Sequence, residues 1–386
     1  MVYITVKQSP QYHQMTLEEF LFQAETPPML LNNNETNTRT YEVEQVSEYM
    51  ARKFRFDIPY LIRKLAEFNN STENLRSVPR HDLYKEFYIP KRSGGLRKID
   101  APKDELMDAL RRLKTIFEQD FRILYHTSAF AYIKHRSTLS ALKRHQENES
   151  RWYAKYDLHN FFGSTTLPFV LQQFSMIYPF SEVMKETEGA VQLTTALELA
   201  FLDGGLPQGT PISPLITNIM MIPIDYKLSN ALRDYNGQRF VYTRYADDFQ
   251  VSSRRDFSFR GIEQFITDTL KEFNAPFATN REKTRYGSSA GSNYNLGVCL
   301  CNGDDGKIRI TVGHKKKRQF KAMLTSFVLD TKNSHPWDLI DIQVMEGLRN
   351  YYRMVEKETI DDIVAAIGTK FGVNVVQMIR DQLREG

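Results

Sequence analysis

The feature that most constrains this chain is a pair of adjacent carboxylates, Asp247 and Asp248, inside the strand-forming run RFVYTRYADDFQVSS at 239–253. The run reads as strand, tight turn, strand. Tyr242, Tyr245 and Phe249 make the surroundings half-apolar. Adjacent carboxylates repel, and in such a setting they are costly unless a cation neutralises them. Two residues cannot build an all-protein calcium cage. They can supply part of an open magnesium site that a substrate's phosphates complete. Asp157 is the second piece: it ends an aromatic strand containing Trp152, Tyr153 and Tyr156. An acidic residue there is also expensive without a partner. Together the three carboxylates would surround one pair of metal ions, roughly 3.5–4 Å apart, as two-metal nucleotidyl transfer requires.

The rest of the chain narrows the class. Its 386 residues allow two or three structural units. Hydrophobic residues make up 41% and charged residues 25%, which fits a folded protein in water. No apolar run reaches the roughly 18–20 residues that span a bilayer. The start, MVYITVKQSPQYHQ, lacks a cationic segment followed by an apolar one. These features predict a cytoplasmic protein with no membrane partner. Cys299 and Cys301 are two apart on an expected strand, so their side chains point the same way, which is poor disulfide geometry. The net charge of +4 is gathered in blocks, including Lys91, Arg92, Arg97 and Lys98, and Lys315, Lys316, Lys317 and Arg318. Such blocks suit either a solvated face or phosphate contact.

The periodicity predicts the following elements. Thr16–Ala24 reads as a helix with a capping box of Thr16 and Glu19. Residues 42–68 read as helix, split by Pro59. YKEFYIP and LRKIDAP read as a hairpin with basic arms, and 104–124 as an amphipathic helix. Residues 164–202 are mostly helical, broken near Pro179, and GGLPQGTPISP is a glycine- and proline-rich connection into a helix at ITNIMMIPI. GIEQFITDTLKEF is an amphipathic helix and YNLGVCL a strand. Residues 315–329, 337–353 and 358–382 read as three helices.

Seven of these segments, in order, resemble the motifs of reverse transcriptases, over about residues 84–355. IPKRSGGLRKIDAP resembles the fingers hairpin, YDLHNFF the first palm motif, GLPQGTPISPLITNI the PQG motif and RYADDF the catalytic YxDD box. NREKTRYG resembles the lysine motif, YNLGVCL the primer-grip strand and EGLRNYYRMVE the thumb helix of bacterial enzymes. The resemblance implies an α+β right-hand polymerase with fingers, antiparallel-sheet palm and helical thumb, preceded by a helical N-terminal extension. Its expected divisions are extension 1–82, fingers 83–150, palm 151–305 and thumb 306–386.

It also implies roles. Asp157, Asp247 and Asp248 would ligate two Mg2+ ions. Lys91 and Arg97 would clamp the triphosphate of the incoming deoxynucleotide, since a guanidinium fork suits phosphate oxygens. Gln208 would support the nucleotide or template, Gly209 would let backbone approach closely, and Tyr245 would join the nucleotide site. Phe162 would lie under the sugar and exclude a 2′-hydroxyl. Lys283 would be the general acid for pyrophosphate. Lys315, Lys316, Lys317 and Arg318 would contact nucleic acid. The expected partners are an RNA template, in particular a structured non-coding RNA, a DNA product and deoxynucleoside triphosphates, with a partner protein or a second copy of the chain also open.

Within the family the match points to bacterial enzymes: retrons, group II intron enzymes, and defence-associated or abortive-infection types. The retron element Asn-Ala-x-x-His is here Ala141–His145, keeping only His145, and the Val-Thr-Gly is Asn295-Leu296-Gly297, keeping only the glycine. Both departures lean toward a defence-associated enzyme rather than a typical retron one. Alternatives are a protein-primed or template-independent DNA polymerase, a group II intron-like enzyme, an RNA-dependent RNA polymerase, which Phe162 opposes, and an RNA-binding scaffold, which the intact acidic trio opposes.

Overall fold

The structure, a computed structural model, describes residues 3–8, 11–16, 55–90, 94–291, 294–303, 305–335 and 337–385. In chain order, β1 (Tyr3–Gln8) and β2 (Gln11–Thr16) pair as an antiparallel hairpin. Helix α1 (Ile58–Ser71) follows, then β3 (Tyr84–Pro90) and β4 (Leu96–Pro102), paired in register from Tyr84 opposite Pro102 to Pro90 opposite Leu96. Next are α2 (Asp104–Thr115), continued by a π turn at Ile116–Asp120, α3 (Thr138–Glu147) and β5 (Trp152–Asp157). A helical stretch holds α4 (Leu167–Phe174), α5 (Phe180–Lys185), α6 (Thr187–Glu198), α7 (Ser213–Met220) and α8 (Ile222–Arg233). Strands β6 (Phe240–Tyr245) and β7 (Asp248–Ser253), α9 (Phe259–Glu272) and β8 (Arg285–Ser288) come next. Short strands β9 (Tyr294–Asn295), β10 (Val298–Asn302) and β11 (Ile308–Thr311) form a sheet. Helices α10 (His314–Lys332), α11 (Leu339–Phe371) and α12 (Val375–Glu385) end the described chain. The mixture is α+β.

The chain forms two compact units: residues 1–137, 154–251 and 257–285, and residues 138–153, 252–256 and 286–386. The core of the first includes an aromatic knot. Phe117 of the π turn and Phe121 just after it meet Phe174 of α4 and Phe180 of α5, with Phe121 stacked on Phe180 at 4.5 Å between ring centroids. Such rings bury large apolar areas and fix helix positions through their geometry. In the second unit, Phe320, Leu324, Phe327 and Val328 form one stripe of α10, packed with Ile342, Met345 and Tyr352 of α11. That spacing is the apolar face of a helix. The strand order of the four-stranded sheet is β6-β7-β5-β8, so β7, carrying Asp248, lies next to β5, carrying Asp157.

Four expectations are corrected. Thr16 closes a strand rather than capping a helix, and the remainder of 17–24 lies outside the described residues. Pro59 does not split a helix: it stands in the first turn of α1, where its missing N–H has no partner to lose, and Asp57 caps that turn by accepting from the Tyr60 N–H at 3.0 Å. Of the helix expected over 42–68, residues 42–54 lie outside the described residues. YNLGVCL is two strands joined by Leu296 (φ 49°) and Gly297 (φ 89°), a two-residue turn with both central residues left-handed. The break expected between 353 and 358 is a kink at Glu356 (φ −140°, ψ 70°) inside α11, and the next helix begins only at Val375, after Gly372 (φ 64°).

Candidate active site

The acidic turn is built by backbone geometry. β6 ends at Tyr245 and β7 begins at Asp248, leaving Ala246 and Asp247 as the turn. Ala246 has φ 58°, a left-handed conformation disfavoured for any residue with a Cβ. The Leu158 N–H donates to the Asp247 carbonyl at 3.0 Å, which fastens the end of β5 to the turn. The Asp157 carbonyl in turn accepts from the Asn280 N–H at 2.7 Å, and the His159 N–H donates to the Ala278 carbonyl at 2.9 Å. Three segments far apart in sequence therefore meet at one edge, each carrying a residue expected there: Asp157, Asp247 with Asp248, and Lys283.

The side chains add the electrostatics. Lys283 Nζ lies 3.0 and 3.2 Å from the two Asp157 carboxylate oxygens, with Asp157 nearly buried and Lys283 largely exposed. Lys155 Nζ lies 2.9 Å from Asp248 Oδ1. Burial pushes the Asp247 carboxyl up to about 6, and the charges of Asp248 and Asp157 push the same way against the opposing pull of Lys283. Asp248 is raised too, by burial first, with Lys155 acting against it. Among the described residues no three His, Cys, Asp or Glu side chains stand as a ready metal cage, and lysines engage Asp157 and Asp248. The donor set nonetheless fits a hard divalent cation. Carboxylate oxygens gather at one edge, burial and the neighbouring charges raise the Asp247 carboxyl even against Lys283, and Asp247 lines open space where phosphates could complete the coordination.

That space is a cleft of about 1140 Å³ in the first unit, lined among others by Arg97, Phe162, Gln208, Asp247, Asn280 and Lys283. Phe161 and Phe162 both line the cleft but differ in burial: Phe161 is buried against Phe277, whereas Phe162 is half-buried. The PQG loop is pinned to the β3–β4 hairpin because the Asp100 N–H donates to the Gln208 carbonyl at 2.9 Å. Gly209 (φ 118°) makes that contact possible: a Cβ there would lie 2.9 Å from Ile99 and 3.0 Å from the Asp100 carbonyl. Tyr245 is half-buried at the end of β6. Lys91 lies outside the described residues.

The basic block of α10 lies in the second unit, and only part of it faces solvent. Lys317 pairs with Glu356 at 3.0 Å and Lys316 donates to the Gly297 carbonyl, while Lys315 and Arg318 are exposed.

Two features of the site were not anticipated. Lys155 sits two residues before Asp157, hence on the same face of β5, and strand periodicity offered that signal. Tyr132 has its hydroxyl raised chiefly by desolvation and also by the charge of Asp247. No pattern in the sequence pointed to it.

Comparison with known proteins agrees with this geometry. Residues 89–322 match the family described as reverse transcriptase (RNA-dependent DNA polymerase). The chain is 30% identical over 226 residues to the retron Ec73 reverse transcriptase of Escherichia coli, covering 56% of this chain and 69% of that one. It is 27% identical over 316 residues to the retron Ec83 reverse transcriptase of the same species, covering 77% and 89%. Among solved structures, apo telomerase from Candida Tropicalis aligns with a TM-score of 0.43 and 12% identity, over 78% of this chain and 61% of that one. The changes at 141–145 and 295–297 pointed away from a typical retron enzyme, yet these relatives are retron enzymes. The chain belongs to the reverse transcriptase family, as a bacterial retron-like RNA-directed DNA polymerase.

Proposed function

We propose that this polymerase copies a structured non-coding RNA into DNA by two-metal nucleotidyl transfer, in the bacterial cytoplasm and in the service of anti-phage defence. The observation that carries the reading is the Leu158 to Asp247 backbone bond, which sets Asp157 beside the Asp247–Asp248 turn at the cleft. Enzymes of this family generally use divalent metal ions. Here Asp157, Asp247 and Asp248 would hold two Mg2+ ions, which supply an activated primer hydroxyl and neutralise charge on the leaving group.

The chain's own residues do the rest by position and charge. The primer 3′-hydroxyl attacks the α-phosphate in line and pyrophosphate leaves. Arg97 and Lys91 hold the triphosphate. The Phe162 ring lies under the sugar and favours deoxynucleotides. Gln208, Gly209 and Tyr245 shape the nucleotide site. Lys283, exposed and already at Asp157, protonates the departing pyrophosphate. Lys315 and Arg318 contact RNA phosphates, with Lys316 and Lys317 bracing them. In this reading 83–150 are fingers, 151–305 palm and 306–386 thumb.

The test is primer extension on a primed RNA template, with deoxy- or ribonucleotides, with Mg2+ or with chelator. Metal-dependent deoxynucleotide incorporation that is lost in the Asp247→Ala, Asp248→Ala double variant supports the reading. Incorporation that survives the double substitution overturns it. Sequencing the nucleic acid that copurifies with the chain identifies the template.

A further inference from the structure

A buried polar knot lies against the acidic turn. Arg244, the next-to-last residue of β6, is 1% exposed. Its Nε donates to Asp225 Oδ1 at 2.9 Å and Oδ2 at 3.1 Å, and its Nη2 to Asp225 Oδ2 at 2.7 Å. Its Nη1 donates to Asn218 Oδ1 at 3.2 Å and to the Ala246 carbonyl at 3.3 Å. Asp225, fully buried on α8, also accepts from the Tyr242 hydroxyl at 2.8 Å. Asn218 of α7 reaches on to the Ala131 carbonyl at 2.7 Å. The Arg244 backbone is held as well: its N–H donates to the Ser128 carbonyl at 2.6 Å and its carbonyl accepts from the Phe130 N–H at 2.9 Å. The guanidinium thus ties α7 and α8 to the residue before Asp247, while the Arg244 backbone and Asn218 hold the 128–131 segment.

Stability does not demand such a pair. A buried ion pair loses its hydration, and well-packed apolar residues of similar volume serve as well or better. What apolar residues cannot do is grip a carbonyl. The carbonyl gripped here belongs to Ala246, whose left-handed φ of 58° is unfavourable for a residue with a Cβ and so must be imposed from outside. That conformation sets the direction in which Asp247 leaves the strand. The peptide groups on both sides of Asp247 are then fixed, one by Arg244 at the Ala246 carbonyl and one by Leu158 at the Asp247 carbonyl.

We propose that Asp225 and Arg244 are positioning residues that hold the 246–247 turn and thereby set how Asp247 and Asp248 are presented to a divalent cation. The inference rests on the metal-binding reading of the acidic edge. Outer partners that orient ligands commonly matter by about 10–100-fold in metal affinity or activity.

The test uses the full chain and Mn2+ alone, with binding followed by electron paramagnetic resonance and folding by circular dichroism and urea denaturation. Arg244→Lys and Asp225→Asn remove the forked pair. The triple change Arg244→Met, Asp225→Leu and Tyr242→Phe replaces the knot by apolar side chains, so its fold does not depend on a half-broken charge pair. The expected result is a rise of about 10–100-fold in the Mn2+ dissociation constant, in the triple variant above all, with urea stability at least that of the wild type. Tyr242→Phe alone leaves the grip on Ala246 intact and should change Mn2+ affinity less than about threefold. A stably folded triple variant that binds Mn2+ like the wild type overturns the proposal. Wild-type protein that incorporates nucleotides without needing any divalent cation would overturn the metal reading itself, a separate and recognisable result.

Discussion

Asp247 pays for its function in stability. Its carboxyl is pushed up to about 6 from an ordinary 3.8 by burial and by its acidic neighbours. Between those two values the folded chain keeps a proton that the unfolded chain has released, so stability falls as pH rises through the window and the loss is complete above about 6. Two pH units correspond to at most about 3 kcal/mol, and partial solvent screening brings this to about 1–2 kcal/mol. Without metal, Asp247→Asn should therefore raise urea stability by about 1–2 kcal/mol at pH 8 and much less at pH 4, while abolishing incorporation. An Asp247→Asn protein no more stable than wild type at pH 8 contradicts the electrostatics described here. Protons compete with cations for the same oxygens, so Mg2+ affinity should weaken as pH drops below 6. Phe162 makes a separate prediction. Phe162→Ala opens room beneath the sugar, and the ratio of ribo- to deoxynucleotide incorporation should rise by about tenfold or more, roughly the worth of one steric contact of 1.4 kcal/mol. An unchanged ratio would place Phe162 in the packing alone.

At the scale of elements, two joints hold the site and the second unit. The PQG loop meets the β3–β4 hairpin only because residue 209 lacks a Cβ. Gly209→Ala adds both a clash and a left-handed penalty of about 1 kcal/mol or more, and nucleotide KM should rise as the loop lifts from Asp100. The second joint is Glu356, which bends α11 to bind Thr311 Oγ1 at 2.7 Å, the Val312 N–H at 2.8 Å and Lys317 Nζ at 3.0 Å. Glu356→Ala leaves those donors without their acceptor and should cost about 1–3 kcal/mol in urea unfolding. These joints also mark what the sequence could and could not reveal. The β3–β4 and β6–β7 hairpins and helix α9 were legible because strand and helix periods, turns and caps are local. Glu356 was not, because its helical neighbours are ordinary and its three partners lie some forty residues away. Arg244 was equally hidden: it lies in a run that reads simply as strand, turn and strand, and only the fold shows that Asp225 receives its charge.

For the whole molecule, the three acidic residues stood out in the sequence because carboxylates in a half-apolar setting are costly without a neutralising cation, although no single motif shows that they meet. The N-terminal region was read poorly. Its hairpin carries no strong alternation, and Thr16 satisfied the helix-capping pattern as well as the end of a strand. The basic block of α10 shows the same ambiguity in charge. Lys317 is engaged by Glu356, so Lys315→Ala and Arg318→Ala should each reduce the salt slope of RNA binding by about 0.7–0.9, whereas Lys317→Ala should mainly lower stability. Slopes equal to that of the wild type in both Lys315→Ala and Arg318→Ala would mean that the block is a solvated face. The central claim is that Asp157, Asp247 and Asp248 act together on one metal-assisted step. It is tested most directly by single-turnover incorporation of one deoxynucleotide on a primed RNA template at saturating Mg2+, comparing Asp157→Asn, Asp247→Asn and Asp248→Asn one at a time. Each substitution should slow incorporation by about 10²–10³-fold or more with primer-template affinity intact. Near wild-type incorporation by any one of the three would contradict the account.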